Sequence, residues 1–332
     1  MADTRITFTD FAKATAPDGS IDEVIESLNQ LSPVIQDAHV EQANDTYGNV
    51  TTLRTALPTV GTAKINKGVA RSKSITSQVR DPMGFFSGRS EVDSRMRKVE
   101  GDARFGARRR IEDSGFEEAL SQAVTNAFFY GSTAVDEAGY DGLAPRMASL
   151  NAGTSLTGSQ VWSMGAVSGS DGASLFIVDH GPRGVKLIVP PNTVAGLDVK
   201  DLGEISVNDV DGNPFQAAVT LYEWFVGLAI KDPRRVARLA NIDVSDASVD
   251  APTQGKIFDK VEQILSRMPQ PNGHNRVIYC PIALYPGFLK QARSVSNLAL
   301  QMGDYFGQQV PKMWGFPLRS SDQLSVTEAT VS

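Results

Sequence analysis

The sequence predicts an α+β protein, and three stretches carry that prediction. Thr46 to Arg80 holds six cations, Arg54, Lys64, Lys67, Arg71, Lys73 and Arg80, and no Asp or Glu. Between them stand short β-forming residues, as in Val50-Thr51-Thr52-Leu53 and Ser74-Ile75-Thr76-Ser77-Gln78-Val79. Phe116 to Tyr130 sets Phe116, Leu120, Val124 and Phe128 along one helical face, with Ser114 as a cap and Gly131 as a stop. Ser174 to Ile242 is strongly β. Its clearest hairpin signal is Asp211-Gly212 between Val207–Val210 and Phe215–Val219.

The basic ribbon stands out because the whole chain of 332 residues has a net charge of −6. That balance argues against a general nucleic-acid surface. The ribbon reads as one half of a charge complementarity completed by other copies, or as a solvated basic loop. It has few large apolar groups, and an isolated two-stranded hairpin is marginal in water. Either it is disordered or surfaces outside it complete it. The length suits about two domains or one elaborated domain. Cys280 is the only cysteine, so an intrachain disulfide and a cysteine-based zinc site are excluded. No run of eighteen apolar residues occurs, and the polar start Met1-Ala2-Asp3-Thr4-Arg5 lacks a signal-peptide core. The expectation is a protein that stays in the cytoplasm where it is made.

Along the chain, Met1 to Gly19 reads as an extended arm with an apolar cluster at Ile6, Phe8 and Phe11. Ser20 and Glu23 form a capping box for a helix through Ile21, Val24, Ile25, Leu28 and Leu31. Pro33 is expected to kink or end it, with a second piece through Val34, Ile35 and Ala38. The ribbon should turn between Gly61 and Gly68 and end at Pro82 and Gly84. A mixed-charge helical block is expected from Glu91 to Glu112. Its Arg108-Arg109-Arg110 run suits phosphate contact or a salt-bridged face. Tyr140 to Asp171 reads as a long ordered loop anchored by Trp162 and Met164. Strands are expected at Leu175–Val178, Val185–Val189, Leu221–Ile230 and Val277–Cys280. Helices are expected at Lys256–Met268 and, despite Pro286, at Ala283–Ala292. Leu298 to Ser332 reads as extended.

Motifs for catalysis are missing. His39, His180 and His274 lie far apart in sequence, without carboxylates at metal-ligand spacing. No nucleophile elbow, phosphate loop or dinucleotide fingerprint occurs. Asp243, Asp246 and Asp250 lack the glycine and glutamate of a calcium loop. No catalytic, cofactor or metal residue is therefore expected. Two alternatives stay open: a hydrolase around His180 and Asp179, and a DNA-binding protein using Arg95 to Arg110.

From end to end the chain resembles the major capsid proteins of tailed bacteriophages, in the gp7-like group. The resemblance rests on Ser27-Leu28-Asn29-Gln30, Thr51–Val60, Ile65-Asn66-Lys67-Gly68-Val69, Ser72-Lys73-Ser74 and Ser90-Glu91-Val92-Asp93. It continues through Phe129-Tyr130-Gly131, Gly142–Arg146, Gly196-Leu197, Asp201-Leu202-Gly203, Ala229–Asp232 and Ala240–Ser245. It closes on Gly315–Arg319 and Thr327-Glu328-Ala329. The resemblance implies the HK97-like capsid fold: an N-terminal arm over 1–48 and an extended β-hairpin loop over 49–93. A peripheral domain with the spine helix would follow over 94–173, an axial domain over 174–290, and return strands over 291–332. It implies a structural protein, not an enzyme, that assembles with itself as pentamers and hexamers into an icosahedral head around double-stranded DNA. A separate scaffolding protein, a portal and a decoration protein are implied partners; a membrane and cofactors are not. A fused scaffold is not expected, because only a short arm precedes the ribbon. Synthesis and assembly would take place in the host bacterial cytoplasm. Arg54, Lys64, Lys67, Arg71, Lys73 and Arg80 become expected inter-subunit contacts.

Overall fold

The computed structural model describes residues 32–150, 160–165, 171–193, 196–245, 251–292, 300–305 and 308–332. The expected arm over Met1 to Gly19, the helix opening at Ser20, parts of the glycine-serine loop, and Asp246 and Asp250 lie outside those residues. The first described element is a short helix, α1, Pro33–Asp37. It is the expected second piece through Val34 and Ile35, and Pro33 opens it, since a first-turn residue has no intrahelical use for its N–H. Strand β1, Val40–Gln42, follows and pairs in parallel with β6, Val185–Val189.

The ribbon is formed by β2, Gly48–Ala56, and the first part of β3, Ile75–Asp93, in antiparallel register from Gly48↔Pro82 to Ala56↔Ile75. Its far end turns where Lys67 N–H donates to Lys64 C=O at 3.1 Å, with Asn66 at φ 66°. Pro82 and Gly84 do mark the end of the β2 pairing, but the strand does not stop there. β3 passes to a new partner, β8, Pro214–Ile230, from Met83↔Gly227 to Asp93↔Ala217. Gly227 permits this hand-over, because a Cβ there would lie 2.7 Å from the Pro82 carbonyl oxygen.

The expected helical block at Glu91 is corrected accordingly. Ser90 and Val92 are buried while Arg89 is exposed, a period-two strand pattern. Helix starts only at α2, Arg95–Glu100, where the Asp93 carboxylate accepts from the Arg95 N–H at 2.8 Å. Gly101, at φ 82°, separates it from α3, Asp102–Tyr130. The expected start near Phe116 falls mid-helix. Ser114 is not a cap; its hydroxyl donates to the Ile111 carbonyl at 2.7 Å. Ala103, Arg104 and Ala107 to Arg110 are good helix formers, and Phe105 packs on Val92, Met96 and Ala218, so the helix extends toward its N-terminus. At 29 residues it is about 44 Å long.

Two further elements lie in the loop after α3: α4, Leu143–Arg146, and β4, Gln160–Ser163. Then come β5, Gly172–His180, β7, Asp198–Asn208, and β9, Val236–Asp243. Helix α5, Ala251–Arg267, strand β10, Asn275–Pro281, and helix α6, Tyr285–Ala292, follow. Strands β11, Leu300–Tyr305, β12, Gln308–Met313, and β13, Phe316–Ser321, complete the elements. The expected hairpin across Asp211-Gly212 is β7 with β8.

Among the described residues the strands join into a 13-stranded sheet along the path β11-β12-β13-β10-β5-β6-β8-β3-β2. β1 adds to β6, β7 to β8, β9 to β5 and β4 to β9. The link between β5 and β6 is a single pair, His180↔Val185. Every residue of β5 is buried, because both faces of the sheet are covered there. Phe176 and Val178 face Val124, Phe128 and Phe129 of α3, with Tyr140, Leu143, Met147, Leu324 and Val331. Leu175 and Ile177 face the opposite cluster, under Ile257, Val261 and Ile264 of α5 and Phe288 of α6. Each such side chain contributes about 1.5–3 kcal/mol on burial.

Candidate inter-subunit surface

The ribbon is tied to the body at its base, and residues 57–73 are all exposed. At the base, buried Asp81 accepts from the Arg146 guanidinium and, at 3.4 Å, from the Ile230 N–H. Arg146 donates in turn to the carbonyls of Asp141 at 2.9 Å and Leu228 at 3.1 Å. Asn44 brackets the first residues of β2: its amide donates to Val50 C=O at 2.8 Å and accepts from Val50 N–H at 2.7 Å.

Arg54, Lys64, Lys67, Arg71 and Lys73 are exposed and make no ion pair among the described residues. Arg80 is also exposed, but its guanidinium meets the Asp45 carboxylate of the same chain. Sequence reading singled out the cations and passed over the apolar tip. Val60 is 88% exposed and Ile65 93%, with Leu57 and Val69 also open to solvent. Large apolar groups displayed together on a projecting hairpin mark an interaction surface. The signal was present in the alternation of those residues with Thr, Gly and Lys, but it was hidden by the charge.

The two alternative sites are not assembled. His180 and Asp179 are neighbours on β5 and point to opposite faces. His180 is buried beneath Phe128, with Nε2 2.8 Å from the Tyr279 hydroxyl, and burial drives its pKa down to about 3. Tyr279 donates at 3.1 Å to Asp37, which also meets Arg319. Burial raises the Asp37 pKa, and the Arg319 charge opposes that rise. This chain of groups fastens α1 to β10 and β13. Asp179 is instead clamped by Arg276 and, at 3.2 Å, by Arg235. In the arginine-rich block, Arg95 pairs with Asp93, Arg97 with Asp102 and Glu204, and Arg109 with Asp201 and Thr220. That is a salt-bridged face. Among the described residues no cluster of His, Cys, Asp and Glu could hold a metal ion, and no helix is long and apolar enough to cross a membrane.

The tail forms a second fastening. Glu328 accepts from the hydroxyls of Tyr130 and Ser174 and, at 2.9 Å, from Arg238. Asn241 exchanges two hydrogen bonds, both 2.8 Å, with the Val331 backbone. Neither the Glu328 nor the Asn241 contact was visible in the sequence.

A two-faced sheet under one long helix, with a cationic hairpin thrown clear of it, is the HK97-like α+β fold of phage capsid subunits. Over 100% of this chain and 98% of the other, the structure superimposes on a bacteriophage Epsilon15 chain with a TM-score of 0.80 at 22% identity. The bacteriophage JBD30 capsid matches with a TM-score of 0.51 at 12% identity, over 90% of this chain and 93% of that one. Comparison with curated protein sequences finds no match. Residues 16–332 match the family of the major capsid protein GP7. The chain belongs to that family: it is a major capsid protein of a tailed phage, a structural component of the virion shell that assembles with copies of itself.

Proposed function

We propose that copies of this chain form pentamers and hexamers that close into an icosahedral head around double-stranded DNA, with the ribbon of each lying across an adjacent copy. The observation that carries this reading is the ribbon tip, residues 57–73, exposed throughout, with open apolar side chains and cations that make no ion pair among the described residues. Heterologous contacts around closed rings suit such a hairpin. Each exposed ion pair contributes only about 0–1 kcal/mol, so many repeated contacts hold the shell while each remains correctable. Arg54, Lys64, Lys67, Arg71 and Lys73 are assigned to the inter-subunit contact. Arg80 joins them as the cation that braces the ribbon base through Asp45.

In this reading, 1–48 is the N-terminal arm, 49–93 the extended loop, 94–173 the peripheral domain, 174–290 the axial domain and 291–332 the return strands. A separate scaffolding protein, a portal and a decoration protein are the further partners, and the packaged DNA is contacted non-specifically. Assembly takes place in the host bacterial cytoplasm. The test is the triple variant Arg54→Glu, Lys67→Glu, Arg71→Glu. The expected result is a subunit with an unchanged melting temperature and a particle yield, counted by electron microscopy, reduced about tenfold or more. A normal yield would show that ribbon charge does not pair the subunits.

A further inference from the structure

Beside the base of the ribbon runs a groove of about 1110 Å³, walled by β2, by the turn between β5 and β6, and by the turn between β8 and β9. A groove of that volume suits a small molecule. Six cations line it against two carboxylates, Glu41 and Asp232. Lys186 is matched by Glu41 at 2.8 Å, Arg234 by Asp232 at 2.9 Å, and Arg235 by buried Asp179 at 3.2 Å. That leaves Arg54 of β2, Arg183 of the first turn and Lys231 of the second. All three are exposed and make no ion pair among the described residues.

Neighbouring groups feel this excess of positive charge. The Glu41 carboxyl is held below its ordinary pKa first by the Lys186 hydrogen bond, and also by the charges of His39 and Lys231. His274 packs against Gly181 in the β5–β6 turn and is held low by burial, then by Arg235 and Arg183. A concave surface lined by one sign of charge focuses its field and concentrates the opposite ion.

β2 adds neutral donors. Among the described residues no strand lies along its outer edge. The Asn44 side chain meets both backbone groups of Val50, so Val50 faces outward, and Thr52, two residues on, faces the same way with its hydroxyl exposed. No aromatic side chain lines the groove, so it offers no platform for stacking a base. Two guanidinium forks and an ammonium, set among neutral donors, match phosphate oxygens. Three unmatched cations exceed the charge of one phosphate monoester, about −1.5 to −2 at pH 7, and call for a longer phosphate chain. We infer that the groove binds a small polyphosphate of the triphosphate class, held between Arg54 of the ribbon and Arg183 and Lys231 of the body. Bound there, the anion ties the first strand of the ribbon to two turns of its own subunit. The inference stands apart from the shell reading, because the site lies within one chain.

The test is calorimetric titration of the full-length chain, purified as subunits, with sodium tripolyphosphate, and with sulfate matched in ionic strength as control. The expected result is saturable binding of one anion per chain, which sulfate does not reproduce. Amide hydrogen exchange should slow at residues 51–56, 183–184 and 231–235. Arg183→Gln with Lys231→Gln should weaken binding about tenfold or more. Arg104→Gln with Arg110→Gln takes two exposed cations from α3, matches the first pair in net charge, and should leave binding unchanged. All four side chains are exposed, so both variants should melt with the parent. Equal weakening by the two pairs would reduce the binding to general charge attraction and overturn the inference. Binding of sulfate with the same affinity, or binding that slows exchange elsewhere only, would overturn it too. A nucleoside triphosphate should displace tripolyphosphate, and a short DNA duplex should not. A duplex that displaces it, and that itself loses binding in the Arg183→Gln, Lys231→Gln variant, would assign the groove to nucleic acid instead.

Discussion

β2 with the outer part of β3, and β5 with its neighbours β9 and β10, are both antiparallel sheet, yet they are held by opposite means. β5 is buried along its whole length, between α3 on one face and α5 and α6 on the other. The ribbon beyond its Asp81–Arg146 base is exposed throughout residues 57–73. The centre draws its stability from burial that the chain supplies itself. The ribbon pairs β2 with β3 toward its base and leaves the side chains of residues 57–73 open for another surface. Secondary structure alone therefore says little about where stability comes from; the neighbours decide.

The sharpest way to break this contrast is to cut the same kind of group from each region. Phe129→Ala opens a cavity against Phe176 and Tyr279 and should cost about 3–5 kcal/mol in denaturant unfolding of the isolated subunit. A cost below about 1 kcal/mol would mean that this centre collapses freely. A more gradual effect is expected from pH. His180 is held neutral in the folded chain with its pKa near 3, well below the unfolded value of 6.5, so the unfolded state takes up this proton first as pH falls. Stability from this group is complete above pH 6.5 and declines between 6.5 and 3, by up to about 1.4 kcal/mol per unit. His180→Gln should flatten that part of the stability–pH curve relative to the parent. An unchanged slope would show that carboxylates alone set it. The smallest effect on the subunit belongs to the ribbon tip. Val60→Ser with Ile65→Ser should shift subunit unfolding by no more than about 0.5 kcal/mol while lowering particle yield. A large loss of subunit stability would mean the tip packs on its own chain.

The sequence revealed what local chemistry dictates. Ribbon, central helix, apolar strands and the Asp211-Gly212 hairpin each carry a short-range signal, and each is present. Boundaries were misplaced where a long-range partner overrode local preference. Glu91 to Asp93 has helix-compatible, charged residues, but pairing with Ala217–Val219 holds it as strand. The helix extends toward its N-terminus past Ser114 because Phe105 packs on Val92 and Met96 and also on Ala218, more than a hundred residues away. At the candidate surface the cations were legible because charge is counted along a chain. The open edge of β2 was not, since it depends on Asn44 and on a turn some 180 residues away in sequence closing one wall of the groove. The hand-over at Gly227 was equally silent, because only the folded chain brings the Pro82 carbonyl against it.

Glu328 and Val331 lock the tail across α3, β5 and β9. The helix–sheet interior is thus sealed from inside the subunit by the residues translated last among those that line it. A ribosome must pass position 331 before that seal can form. A polypeptide interrupted before this point lacks the hydrogen bonds of Val331 to Asn241 that close the helix–sheet interior.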